Sequence, residues 1–204
     1  MTRKALSLAL ASVLSCTIAF GADSNYTTEG KEKVTRNGVN IFLEPNSPNK
    51  QKYLSGEFDK ALERMKKGYQ ENAKMQPKAS APLVTQVLIL NVCSEKMKQD
   101  TGYDCEEITD NQTSTGFDHS GNPFEVDTGV VGYGGHSYDR AKFAGNEAVQ
   151  LKSEGVDLNG DNIVDGFIDI WDISKPKNTN GTFEFTATSI NNAAVSKSTS
   201  IYIK

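Results

Sequence analysis

From Asn180 to Lys204 the chain is patterned in period two, and this limits the folds open to it. Asn180-Gly181 is a turn pair. Phe183, Phe185 and Ala187 then share one face while Glu184, Thr186 and Thr188 share the other, the signature of a half-buried strand. Asn191-Asn192 makes the next turn, and Ser198 to Ile203 returns with Ile201 and Ile203 inward. Upstream, Val87, Ile89 and Asn91 alternate with Leu88, Leu90 and Val92 in a run apolar on both faces, as in a central strand. Val126 to Tyr133 reads as a second strand closed by Gly132, Gly134 and Gly135, Ala148 to Leu151 as a short one, and Phe167 to Ile173 as another. Short strands broken by turns at this spacing predict a mainly β fold, an antiparallel β-sandwich or partial barrel. No internal repeat is present, which argues against a propeller or solenoid.

An amphipathic helix is predicted before this β-rich region. Leu54, Phe58, Leu62, Met65, Tyr69 and Ala73 recur every three or four residues over about 54–76 and give one apolar stripe. Ser55 can cap its start, and Pro77 stops it. The stretch from Lys50 to Lys78 has eight basic against four acidic residues. Its basic face is either solvated or docked on the acidic body or an acidic partner. Residues 23–52 are polar, and only Val39 to Leu43 suggests a strand or docking segment; the rest is expected to be loosely ordered. The division expected is 1–22 signal peptide, 23–80 polar N-terminal arm with the helix, and 81–204 β-rich domain. A further reading makes residues 23–78 a docking arm or propeptide.

Thr2-Arg3-Lys4 followed by an apolar run from Ala5 to Phe20, with small residues at Ala19, Gly21 and Ala22, describes a secretory signal peptide. The run is shorter than the roughly 20 residues that span a bilayer, and no later segment is apolar enough to span. The expected location is secreted or periplasmic. Val13-Leu14-Ser15-Cys16 partly resembles a lipobox, so a lipoprotein anchored through Cys16 is the alternative. Cleavage before residue 23 leaves Cys93 and Cys105, and an even count in an oxidising compartment suggests one disulfide. From Gln99 to Asp172 there are three basic and sixteen acidic residues. A body so acidic repels nucleic acid and anionic lipid and attracts cations.

The acidic stretch that could hold a cation is Asp157-Leu158-Asn159-Gly160-Asp161-Asn162-Ile163-Val164-Asp165. Calcium prefers six to eight oxygen ligands. Asp157, Asn159 and Asp161 can turn side-chain oxygens inward, the carbonyl of Ile163 sits where such loops give a backbone ligand, and Asp165 closes the ring. Two charges 4 Å apart cost about 4 kcal/mol at an effective dielectric near 20, which favours a counter-cation. The loop is not an EF-hand, because Ile168 stands where the closing acid belongs. It resembles the nine-residue calcium loops of integrin-type and thrombospondin type 3 repeats. Calcium is therefore the expected cofactor, in a structural role. A solvated hairpin of Asx turns is the alternative.

Catalytic signals are sparse. Asp118-His119-Ser120 holds acid, imidazole and hydroxyl together, but the side chains of adjacent residues diverge, and a polar turn is the simpler reading. Gly132 to Asp139 contains Tyr133, His136 and Tyr138 among glycines that let a backbone approach a ligand. His136 is the candidate catalytic residue of a hydrolase; Tyr133, Tyr138 and Trp171 on an exposed face would make a sugar- or peptide-binding platform. Trp171 reads equally as core. Nucleophile-elbow, Walker and His-Glu-x-x-His motifs are absent.

Residues from about Leu83 onward resemble a family of small secreted bacterial proteins known only as a domain of unknown function. The resemblance rests on Val131-Gly132-Tyr133-Gly134, on Asp157 to Asp161 through Gly166-Phe167, on Trp171-Asp172-Ile173-Ser174 and on Thr199-Ser200-Ile201-Tyr202-Ile203-Lys204. It implies an exported bacterial β-domain and brings no activity or catalytic residue. The expected function is a binding or interaction module for a protein or carbohydrate, including one antagonistic toward other cells. The alternative is a secreted hydrolase using His136 with a nearby acid or hydroxyl.

Overall fold

Period-two segments with one apolar face pair into sheets and bury that face between layers. The computed structural model describes residues 26–47, 49–73, 81–134, 139–175 and 180–204. In chain order the elements are β1 (Glu32–Arg36), β2 (Val39–Leu43), α1 (Lys50–Ser55), α2 (Asp59–Ala73), β3 (Gln86–Ser94), α3 (Glu95–Thr101), β4 (Cys105–Glu107) and β5 (Phe124–Val131). There follow β6 (Arg140–Phe143), β7 (Asn146–Glu147), β8 (Val149–Asp157), β9 (Gly166–Asp172), β10 (Gly181–Thr188) and β11 (Ser196–Ile203). The large sheet has the order β1-β2-β8-β9-β5-β3-β4 and the small one β11-β10-β6-β7. Every pairing of these strands is antiparallel. The fold is mainly β, as the alternation predicts, with one sheet curled into a half-barrel.

Two cores lie on opposite faces of the large sheet. The inner one joins the sheets: Ile89, Val92, Val126, Val130 and Trp171 meet Phe143, Phe183, Phe185, Ala187, Ile201 and Ile203. Trp171 packs on Phe185 with ring centroids 5.6 Å apart, and Phe124 on Phe143 at 5.4 Å. The outer core lies under the helices, where Tyr53, Phe58, Leu62 and Met65 cover Ile41, Leu43, Leu88, Leu90, Val156 and Ile168. Strand β3 feeds both cores, which explains its unbroken apolar run; a register shift between Ile89 and Asn91 re-aims it.

Several expectations need correction. Of residues 23–52, Val39 to Leu43 is the strand its pattern suggested, β2, which pairs with β8; the remainder, expected to be loosely ordered, contains β1 and the start of α1. Val34 is the only buried residue of β1, too little to mark a strand in a polar stretch. The short strand expected at Ala148 to Leu151 is the nine-residue β8. Its polar middle hid it: Glu154 is buried and accepts from Tyr53 Oη (2.6 Å) and Ser47 Oγ (2.7 Å). The single helix over 54–76 is two. Gly56, at φ 86°, caps α1 in the left-handed region, and α2 starts afresh at Asp59. The phase resets, so Tyr53 is buried while Leu54 is exposed. The basic face of α2 is tied to the body, through Lys60–Glu107 (2.9 Å) and Arg64–Asp110 (2.7 Å).

Gly56→Ala tests that break. A Cβ there would collide with the Arg36 guanidinium, which pairs with Asp59, and a non-glycine residue in the left-handed region costs about 1–2 kcal/mol. A loss of about that size is expected in urea unfolding; a gain would mean that α1 and α2 prefer to run on as one helix.

Candidate metal centre

The β8–β9 hairpin carries the acidic loop at its tip. Val156 pairs with Gly166, and the Asp165 amide donates to Val156 O (2.8 Å), so Asp157 and Asp165 face each other across the hairpin mouth. Asp157 is fully buried and organises the turn. Its Oδ1 accepts amides from Asn159 (3.2 Å), Gly160 (2.6 Å) and Asp161 (3.2 Å), and its Oδ2 accepts Asn162 N and Asn40 Nδ2, both at 2.7 Å. These are nested Asx turns. Gly160 (φ 83°) and Asn162 (φ 68°) take the left-handed positions, and asparagine tolerates that conformation better than most residues.

Asp157, Asp161 and Asp165 each offer an oxygen within 4.8 Å of the others. Two oxygens on opposite sides of a calcium ion at about 2.4 Å would stand about 4.8 Å apart, so the spacing fits a hard cation. Burial pushes the Asp165 carboxyl up to about 6; the Leu158 amide and Tyr69 oppose this, and the Asp161 and Asp157 charges add to it. One feature competes with metal. The five donors on Asp157 already use the roughly four lone-pair sites a carboxylate offers, so an ion there must displace an amide.

Of the other proposed ligands, the Asn159 side chain is already engaged. Asn159 accepts the Asp161 amide on Oδ1 (2.8 Å) and donates through Nδ2 to Tyr69 Oη (2.9 Å). The Ile163 amide donates to Asp161 Oδ1 (2.9 Å) and its side chain is exposed.

The proposed aromatic platform does not form from the described residues. Trp171 is 3% exposed in the inner core and donates through Nε1 to Thr128 Oγ1 (2.9 Å). Tyr133 is buried in a third cluster with Phe42, Ala81 and Val164, edge-on to Phe167. His136 and Tyr138 lie outside the described residues, as do the segment expected to be a signal peptide and Cys16. Cys93 and Cys105 are cross-strand partners on β3 and β4 and form the expected disulfide.

His119 lies in the polar segment expected as a turn, with its ring turned inward. It is buried, with Nδ1 3.0 Å from Ser94 Oγ and Nε2 3.1 Å from Glu106 Oε2. This has the members of a catalytic triad with the two ring nitrogens exchanged. Ser94 Oγ accepts the Met97 amide at the cap of α3 (3.1 Å), which leaves its hydrogen for Nδ1 and places the ring hydrogen on Nε2 toward the acid. The His119 side chain has no exposure, so no substrate reaches it. Glu106 also accepts Gly116 N (2.7 Å), Phe117 N (3.0 Å) and Gln112 Nε2 (2.8 Å). Burial alone would push Glu106 up; these bonds outweigh it and hold its carboxyl at about 2. The network ties α3, β4 and the 115–120 segment together. Its members are 12, 13 and 25 residues apart in the chain, so no motif announces it.

Among the described residues no helix is long and apolar enough to cross a membrane. Two antiparallel sheets, helices over the outer face of the larger one and an acidic hairpin define a mainly β protein with a candidate cation loop. The chain belongs to the family described as Domain of unknown function (DUF4879), which matches residues 76–203. That span takes in every strand from β3 onward and leaves β1, β2, α1 and α2 outside. No curated protein and no solved structure matches the chain.

Proposed function

We propose that this is an exported binding module whose acidic hairpin is braced by a structural calcium ion. The observation that carries the calcium reading is the convergence of Asp157, Asp161 and Asp165 on one loop, with oxygens close enough to share a cation. Export is supported by the signal-like N-terminus and by the Cys93–Cys105 disulfide, a bond kept by oxidising compartments. The partner is a protein or carbohydrate; sixteen acids against three bases between Gln99 and Asp172 repel a phosphate backbone. Calcium's role is to hold the entry to β9, not to perform chemistry.

Thermal unfolding in calcium and in chelator tests this. For a millimolar-class site, an ion at ten times its Kd stabilises by about 1.4 kcal/mol, which raises the melting temperature by about 3–6 °C in a chain of this size. Asp161→Asn is the matched control, because Asp161 is exposed and Asn can keep the bond to the Ile163 amide. It should melt like the wild type in chelator and lose most of the calcium response. Coincident wild-type curves with and without the ion would end the calcium reading.

A further inference from the structure

The Cys93–Cys105 disulfide has two ionisable neighbours of a kind that a purely structural bridge does not need. Lys52 of α1 points its ammonium at the bridge, with Nζ 3.3 Å from Cys105 Sγ and 3.8 Å from Cys93 Sγ. On the other side Asp127 of β5 places Oδ2 3.9 Å from Cys93 Sγ, where it also accepts Asn91 Nδ2 (3.3 Å). A disulfide sulfur has no hydrogen to give, so any hydrogen on the Asp127–Cys93 contact belongs to the carboxyl. The two sulfurs are not equivalent. Cys93 is buried, whereas Cys105 is half-buried on β4, the edge strand of the large sheet, after the exposed Tyr103 and Asp104.

We propose that Cys93–Cys105 is a thiol–disulfide exchange site, with Cys105 the sulfur attacked, Lys52 the cation that stabilises its thiolate and Asp127 the proton donor to Cys93. The co-reactant is a dithiol. Its first thiolate attacks Cys105 Sγ, the Cys93–Cys105 bond breaks, and Cys93 Sγ leaves with the bonding pair and takes the Asp127 proton. A mixed disulfide now joins the reductant to Cys105. The second thiolate of the reductant attacks its own first sulfur and releases Cys105 as a thiolate beside Lys52. Two electrons have passed to the protein, which holds two reduced sulfurs, and the reductant has become a disulfide. The reverse sequence reduces a partner disulfide to a dithiol and re-forms the Cys93–Cys105 bond. Exchange needs a thiolate attacker and a stabilised leaving group, and those are the roles the two neighbours fit.

The charge environment agrees. Burial pushes the Asp127 carboxyl up to about 7; Lys52 and Asn91 pull the other way, and the Glu125 and Glu154 charges push it further up. A proton is thus held beside Cys93 near neutral pH. Tyr53 of α1 also faces this cluster and, being buried, stays protonated well past its ordinary range.

Reduction of the native full chain by dithiothreitol, followed by thiol alkylation and mass analysis, tests the proposal. The expected rate is first order in reductant with no plateau, and a monothiol such as glutathione should be trapped on Cys105. A positioned general acid contributes roughly 100-fold or more; Asp127→Asn and Lys52→Met should each slow reduction by at least about tenfold at pH 7. Expressed per attacking thiolate, the wild-type rate should fall as pH rises through about 7, while that of Asp127→Asn stays flat. Because either variant could perturb folding, the wild-type data decide alone. A rate that saturates with reductant, an adduct on Cys93, or a thiolate-corrected rate independent of pH overturns the exchange site and leaves a structural bridge.

Discussion

Replacing Glu106 by alanine is expected to lower the free energy of unfolding by about 3–5 kcal/mol, the size of effect seen when one partner of a buried charged network is removed. The carboxylate is nearly inaccessible and accepts from His119, Gln112 and the amides of Gly116 and Phe117. Alanine leaves all four donors facing a void, and each buried unpaired donor costs about 1–3 kcal/mol. Glu106→Gln keeps the shape but turns an amide group toward other donors, so an intermediate loss is expected. Its pH dependence is the more specific readout. The native carboxyl titrates at about 2 and an unfolded glutamate near 4.3. The native state therefore binds its proton later than the unfolded state. The stabilisation, up to about 3 kcal/mol, is complete above pH 4.3 and disappears as pH falls through 2. Urea unfolding of wild type and Glu106→Gln should diverge at pH 6 and converge toward pH 2. Parallel curves over that range would mean that the four bonds do not favour the charged form.

What the sequence reveals of this fold follows a physical division. Elements whose faces meet different solvents were legible. Phe183, Phe185 and Ala187 in β10 and Ile201 and Ile203 in β11 point into the inner core, as their alternation says. The two-faced apolar run of β3 is buried on both sides. The Cys93–Cys105 pairing was legible from parity and the expected compartment. Elements stabilised by polar partners far along the chain were not. The central residues of β8 are polar because Glu154 bonds Tyr53 and Ser47, so its period is lost. In β1, Val34 is the only buried residue, too little to give a pattern. At the acidic hairpin the sequence located the three carboxylates. It could not show that Asn159 turns to Tyr69, an α2 residue that arrives only when the helix docks. The Ser94–His119–Glu106 network and the Asp127 site have the same cause. Each brings strand residues together with one from outside the sheet and distant in the chain, His119 of the 115–120 segment in the first and Lys52 of α1 in the second.

Asp127→Asn is expected to stabilise the protein by about 2–4 kcal/mol at pH 8 and to change it little near pH 4, the opposite trend to Glu106. Asp127 is fully buried, and burial is the main reason its carboxyl titrates at about 7, whereas in the unfolded chain it titrates near 3.9. Between those values the native state holds a proton that the unfolded state has released, so stability falls as pH rises through the window. Above pH 7 the full cost of an ionised, desolvated carboxylate is present, about 4 kcal/mol at 1.36 kcal/mol for each unit of difference. Lys52 and the Asn91 amide offset part of the burial cost but do not remove it. Asparagine has nearly the same shape and carries no charge, so the penalty vanishes, less what the lost attraction to Lys52 was contributing. Urea midpoints of the two proteins from pH 4 to pH 8.5 should start together and separate steadily, with the variant the more stable. If the wild type instead gains on the variant with rising pH, Asp127 is ionised and held by Lys52, and the cost assigned to its burial is wrong. Slower disulfide reduction in the more stable variant would join that cost to the chemistry at Cys93.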